Sequence, residues 1–262
     1  MDAHRDPRLR AVIWKDLLAY RRLEVVHELT LSLPWLAASL VAAHAGWHVA
    51  ALAASFAFFL TGLRQAHNAQ HYAIGVSRRA TEWVLFALSL MMLSSMHAVQ
   101  FNHLRHHRHC LGDEDLEAMS ARMPAWRAIL LGPVFPIRLH AAALRLAAPR
   151  QRRWVRVELL AIAAWVVVAA ALAPWWLRYH LLAMAAGQCF TAFFAVWTVH
   201  HDCPRDGVFA RTIRRPLLAR LFYGMFFHVE HHLFPAVPTR HLPVLARRLD
   251  AVAPEWNARR VF

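Results

Sequence analysis

Residues 227–238 read FHVEHHLFPAVP, a stretch with three histidines at positions 228, 231 and 232. On a helix, positions i, i+3 and i+4 lie on one face, so the three imidazoles would point in one direction. Neutral imidazoles aimed at one point form a site for a borderline transition metal, and iron is among the candidates. Taken alone, such a motif is more often an exposed surface helix, so the rest of the chain decides its meaning.

Two further histidine clusters, or boxes, precede this one. The sequence HLRHH at 103–107 repeats the same spacing, and HNAQH at 67–71 adds a pair at i and i+4. Each of the three boxes stands just outside a long apolar stretch. Their repetition in one chain favours a metal site over three unrelated polar helices.

The composition is that of a membrane protein. Apolar residues make up 58% of the 262 residues and charged residues only 18%, in blocks separated by uncharged runs. Runs of about 20 uncharged residues are typical of membrane spans. The net charge of +14 does not indicate a nucleic-acid partner, because the arginines border the apolar segments. The three cysteines have no CxxC spacing and predict no disulfide framework, and ligation by Cys110 or Cys203 is the weaker alternative to histidine.

The predicted fold is an all-α integral membrane domain over residues 1–262. Four transmembrane helices in two hairpins are expected at about 25–43, 48–63, 157–173 and 181–199. Residues 84–97 are expected to be re-entrant or interfacial, because a full crossing would separate the first two boxes. The leader to Glu24 and residues 137–148 are predicted as interfacial segments. The boxes would then form a histidine-rich cap on one side of the membrane.

The distribution of positive charge predicts the orientation. With these spans, the leader, the middle segment and the tail hold 6, 13 and 10 of the 30 Lys and Arg residues, and the turns hold only Arg178. Cytoplasmic segments carry the excess of Lys and Arg in membrane proteins. Both termini and all histidine boxes are therefore expected in the cytoplasm.

The boxes supply eight histidines, and a ninth is expected at the end of the fourth span, where His200 and His201 compete. Nine imidazoles suit two metal ions with four or five nitrogen ligands each, whereas one zinc ion needs at most four protein ligands. Redox-active iron that activates O₂ is the interpretation that uses the whole set.

The three boxes, in this order, resemble those of the membrane fatty acid desaturase superfamily, which includes acyl desaturases, hydroxylases and bacterial carotenoid ketolases. The terminal box followed by Leu-Phe-Pro is the most specific part, and the four-span layout matches as well. The resemblance implies a two-iron centre that uses O₂ and two electrons to attack an unactivated C–H bond. It implies nine iron ligands, one of which is the histidine after the last span, and no catalytic residue beyond these ligands. The nine are His67, His71, His103, His106, His107, His200, His228, His231 and His232.

Carboxylates near the boxes are candidates to orient these histidines, because a metal-bound imidazole usually donates its other N–H to a carboxylate or a carbonyl. The nearest in sequence are Asp113, Asp115, Glu117, Asp202 and Glu230, of which Asp202 and Glu230 are favoured. Three aromatic residues at helical spacing, Phe190, Phe194 and Trp197, either line a substrate channel or face lipid.

Electrons are expected from a separate carrier such as a ferredoxin or cytochrome b5, because the sequence has no cytochrome-type His-Pro-Gly-Gly, GxGxxG or cysteine cluster. The predicted function is desaturation of a fatty acyl chain within the membrane. A carotenoid ketolase or lipid hydroxylase with the same site is the alternative, and a non-catalytic metal-holding membrane protein is a remoter one.

Overall fold

The computed structural model describes residues 6–205 and 208–257, so the first five residues of the predicted leader lie outside it. Within these ranges the chain forms helices and turns, with one isolated bridge between Thr212 and Phe227 and no strand. The all-helical fold class is therefore confirmed.

The first hairpin places the first histidine box. Helices α1 (Arg22–Thr30) and α2 (Leu33–His44) together form a long apolar segment, and α3 (His48–Gln70) returns after a tight turn. Pro34 lies in the first turn of α2, where its missing N–H costs no helical hydrogen bond. Helix α3 extends beyond the predicted end of the second span at residue 63. It therefore carries His67 within the helix and His71 at its C-terminal cap.

The stretch predicted as re-entrant forms two helices with a sharp bend. Helix α4 (Arg78–Met92) and helix α5 (Met96–His109) meet at 111°. Leu93 stands between them with a left-handed φ of 56°. Helix α5 carries the second histidine box. Such a bend is compatible with a broken span or with a re-entrant loop.

The second half begins with two short helices, α6 (Ala125–Leu130) and α7 (Val134–Leu146). Gly132, between them, is required for close packing, because a Cβ there would lie 1.7 Å from the carbonyl oxygen of Cys189. Helix α8 (Pro149–Leu172) and helix α9 (Trp175–Gln188) follow. A π-helical turn (Ala192–Trp197) and α10 (Thr198–His200) continue α9 with a 41° bend.

Three helices of the described chain are long and apolar enough to cross a membrane, or up to five if each bent pair is one span. By length and composition, these helices are consistent with an all-α integral membrane protein. The four-span arrangement in two hairpins corresponds to three long helices and the α9–α10 pair, and it remains a prediction.

The C-terminal part forms a cap of short helices, α11 (Pro216–Leu221), α12 (His228–Leu233) and α13 (Leu242–Val252). Its apolar core includes Val229, Leu245 and Leu249, which pack against Val12 and Leu17 of the leader. Leu17 of the leader is therefore buried in the cap, whereas its neighbours Ile13 and Leu18 are exposed. Burial of Leu17 in the cap removes its apolar surface from water without any lipid.

The predicted topology has a direct test in single-cysteine variants, with the three native cysteines replaced by serine. We expect Trp47→Cys to be labelled from the far side of the membrane and Leu104→Cys from the cytoplasm. Both positions are suitable because the side chains are exposed, by 67% and 40%. Labelling of Leu104→Cys from the far side would refute the non-crossing arrangement of α4 and α5.

Candidate metal centre

Four helical segments bring the nine predicted histidines together. The first box comes from α3 and its cap, the second from α5, the third from α12, and His200 from α10. The i, i+3 and i+4 spacing places the histidines of each box on one helical face, as the sequence predicts. All nine rings are buried or half-buried.

One group contains five histidines whose ligand nitrogens all lie within 4.8 Å of one another: His67, His71, His103, His107 and His231. The Nε2 atoms of His71 and His103 are 2.9 Å apart, as are those of His107 and His231. Both ring nitrogens of His67 are buried without a hydrogen-bond partner among the described residues. A buried imidazole without a partner is costly unless another group, such as a metal ion, takes its lone pair.

The other four histidines form a second group. Nε2 of His200 lies 2.9 Å from Nε2 of His228 and 3.0 Å from Nε2 of His106. Nε2 of His232 lies 3.1 Å from that of His228 and 3.2 Å from that of His106. The two groups adjoin, because the rings of His107 and His232 stack with their centroids 4.2 Å apart. The arrangement fits two metal ions with five and four nitrogen ligands.

Burial and the neighbouring imidazoles hold the pKa values of the third-box histidines well below the usual range of histidine. The rings are therefore neutral, which is the form that binds a metal. Cys110 also lies within reach of the four-histidine group. Burial, together with the nearby Asp115 carboxylate, raises the pKa of its thiol, which disfavours the thiolate that would act as a ligand.

Three of the nine histidines donate the Nδ1–H that points away from the metal groups to a hydrogen-bond acceptor. Nδ1 of His106 donates to Asp115 at 2.7 Å, and Nδ1 of His103 donates to Glu117 at 2.9 Å. Nδ1 of His200 donates to the backbone carbonyl of Phe209 at 3.0 Å. These bonds leave each Nε2 free to face the centre of its group, the usual arrangement around metal-bound histidines.

Asp115 is held ionised by its surroundings. Its burial would raise the carboxyl pKa, but the hydrogen bond from His106 and those from two backbone N–H groups lower the pKa to about 2. Asp113, two residues earlier, is exposed, so only part of the acidic stretch 113–117 that follows the second box faces solvent. The sequence signal for the orienting roles of Asp115 and Glu117 was their position shortly after the second box.

The two carboxylates favoured from the sequence have other contacts. Glu230 accepts from Thr212 at 3.0 Å and lies 2.6 Å from Nη2 of Arg214. At about 100° per residue, position 230 of α12 lies on a different helical face from His228, His231 and His232. Asp202 lies 3.1 Å from Nε2 of His201. These contacts pair both carboxylates with residues other than the nine histidines.

His200 and His201 differ clearly in their surroundings. His200 is 1% exposed and lies inside the four-histidine group. The ring of His201 stacks on Trp197 with centroids 4.3 Å apart. The π-helical turn just before α10 adds a residue to the turn and so changes the direction of every later side chain.

An apolar cavity adjoins both histidine groups. His67, His103 and His228 lie in its wall, together with aliphatic and aromatic side chains such as Leu63, Leu139, Phe194 and Phe226. Of the three aromatic residues predicted to share a face, only Phe194 lines this cavity. Phe190 is 41% exposed, and Trp197 donates its Nε1–H to the carbonyl of Met123 at 2.8 Å. The π-helical turn separates their directions.

Removing the Asp115 carboxylate tests its orienting role. In Asp115→Asn, we expect metal affinity or turnover to fall roughly 10- to 100-fold, because His106 loses its charged acceptor. Metal retention during dialysis against a chelator measures the effect. Glu114→Gln is the matched control, because the Glu114 side chain is 66% exposed. Equal retention by both variants would contradict this role.

Comparison with known families agrees with the site. The model of the fatty acid desaturase family matches residues 14–261, a range that includes all nine histidines. Comparison with curated proteins returned no significant match. The match confirms the resemblance stated from the three boxes. The chain therefore belongs to the fatty acid desaturase family, a family of oxidoreductases.

Proposed function

We propose that the protein desaturates a fatty acyl chain with O₂ and two electrons, at a two-iron centre held by the nine histidines. The observation that carries the proposal is the convergence of nine imidazoles in two adjoining groups beside an apolar cavity. Such a cavity suits the hydrocarbon of a membrane lipid.

The residues fit iron. An all-imidazole set with five and four members suits divalent iron, and the raised pKa of the Cys110 thiol beside the four-histidine group disfavours the thiolate ligation typical of a structural zinc site. When bound, the iron pair supplies O₂ activation for C–H oxidation. The overall reaction removes two hydrogens from the chain and, with two electrons and two protons, reduces O₂ to two water molecules.

The chain's own residues hold and isolate this centre. Asp115, Glu117 and the Phe209 carbonyl fix the tautomers of His106, His103 and His200. The apolar wall of the cavity excludes water from the oxidising site and admits a hydrocarbon chain. Because His103 and His228 come from different groups and both line the cavity, a bound chain passes both metal positions.

Electrons come, in this proposal, from a separate carrier such as a ferredoxin or cytochrome b5. The middle segment and the tail are rich in arginine and suit an acidic carrier by electrostatic steering. We propose a multi-pass arrangement with both termini and the metal centre on the cytoplasmic side, where such carriers are found.

The test is product analysis by mass spectrometry of lipids and pigments. Cells that express the wild type are compared with cells that express His231→Ala and with cells that lack the gene. We expect acyl chains that have lost two hydrogens, in the wild type only. A new hydroxyl on the acyl chain would select a lipid hydroxylase, and a new carbonyl on a carotenoid would select a ketolase. No modified lipid or pigment, from protein that retains its metal, would favour the non-catalytic alternative.

A further inference from the structure

A second cavity, of about 560 Å³, lies beside the segment that leads into the third box. Tyr223, Gly224 and Phe227 line this cavity, while Met225, Phe226 and His228 line the apolar one. One short segment therefore contributes to both walls. The second cavity is strongly basic: it is lined by five arginines and one carboxylate, namely Arg64, Arg214, Arg220, Arg240, Arg247 and Asp250.

Two of these arginines are already neutralised. Arg64 is 2% exposed and binds both carboxylate oxygens of Glu28. Arg214 donates to Asp250 and lies 2.6 Å from Glu230. Both pairs are parts of the folded framework, because an unpaired buried charge is costly.

Of the other three arginines, two have no carboxylate partner among the described residues, and the third shares its carboxylates with other groups. Arg220 is exposed and has no ion pair or side-chain hydrogen bond within residues 6–205 and 208–257. In the same part of the chain, the one side-chain hydrogen bond of Arg247 goes to the carbonyl of Pro243, in its own helix, at 3.3 Å. Arg240 lies 3.6 Å from Glu24 and 3.5 Å from Glu28, and Glu28 already binds Arg64.

These three arginines come from three elements: α11, the turn Thr239–His241 and α13. They line one cavity, and within the described residues Arg220 and Arg247 have no carboxylate partner. Guanidinium groups bind phosphate through paired N–H donors, and several of them around one space favour a phosphate group over a neutral ligand.

The surroundings of the cavity indicate a lipid source. Helix α11 exposes Leu217 by 78% and Leu221 by 64%, at i and i+4 on one face, beside Arg220. Exposed leucines next to an arginine on a short helix are typical of a segment at the membrane surface. The cavity also adjoins the first long apolar segment, since His27 of α1 lines it and Trp35 of α2 donates to Tyr223 at 3.2 Å.

We propose that this cavity binds the phosphate of an anionic membrane phospholipid, with α11 embedded in the membrane surface. Arg220, Arg240 and Arg247 contact the phosphate, and Leu217 and Leu221 face the acyl region. Binding needs no iron and no turnover. If the proposed desaturation is correct, a headgroup held here places its lipid beside the segment that carries His228.

The test titrates purified full-length protein in neutral detergent with phosphatidylglycerol and follows the bound lipid by native mass spectrometry. The variant Arg220→Gln/Arg247→Gln removes two arginines that have no carboxylate partner. We expect about 25-fold weaker binding of the first phosphatidylglycerol, because each basic residue at a membrane surface contributes about a fivefold affinity and the variant removes two. The matched control Arg153→Gln/Arg156→Gln removes the same charge from exposed positions of α8 outside the cavity, and it should bind like the wild type.

Unchanged binding in the cavity variant, or an equal loss in both variants, would overturn the proposal. A second arm adds coenzyme A as a soluble phosphate ester. If coenzyme A displaces the lipid and binds more tightly through the same arginines, the ligand is a soluble phosphate ester and the lipid assignment is wrong. Lipid binding is measured without turnover, so a failure of the proposed desaturation would leave this result readable.

Discussion

Replacing His200 by alanine is expected to abolish product formation, whereas His201→Ala keeps appreciable activity. His200 is buried, and its Nε2 lies 2.9 Å from that of His228 and 3.0 Å from that of His106. His201 instead stacks on Trp197 and lies beside Asp202. Loss of a metal ligand removes the centre, while loss of a neighbouring residue costs roughly 10- to 100-fold at most.

The measurement is product formation with a reconstituted electron donor, together with iron content. His200→Ala should be inactive and iron-poor, and His201→Ala should retain its iron. A dead His201→Ala beside an active His200→Ala would require the two assignments to be exchanged.

Substitutions in the two histidine groups should each cost iron. His231→Ala removes a member of the five-histidine group, and His106→Ala removes a member of the four-histidine group. We expect each variant to lose most of its iron, since the two groups adjoin through the stacked rings of His107 and His232. Each substitution also leaves a buried cavity where the imidazole was. The remaining histidines then lose packing that fixes their orientation.

His109→Ala is the matched control. His109 lies two residues after the second box, but its side chain is 32% exposed and lies 3.7 Å from Glu114. We expect this variant to keep wild-type iron content by elemental analysis. Iron retained in His231→Ala and His106→Ala at the level of His109→Ala would show that the boxes do not hold the metal.

The boxes could be identified from the sequence because helical periodicity fixes the face on which each histidine stands. His228, His231 and His232 needed only a helix to point in one direction, and the long apolar runs placed the boxes beside the membrane. The class of fold followed from the same uncharged runs.

Other features depend on tertiary contacts that no local pattern records. The roles of Asp115 and Glu117 follow from the fold of the turn after α5, and proximity in sequence favoured Asp202 and Glu230 instead. The π-helical turn before His200 changes side-chain directions in a way that α-helical spacing does not predict. Leu17 packs in the cap because the C-terminal helices offer it an apolar surface.

The metal content of the purified wild-type protein tests the central claim most directly. Elemental analysis combined with Mössbauer spectroscopy should find about two irons per chain in a coupled pair, because nine converging imidazoles exceed what one ion can bind. One tightly held zinc ion per chain, with no iron after expression in iron-rich medium, would contradict the two-iron account.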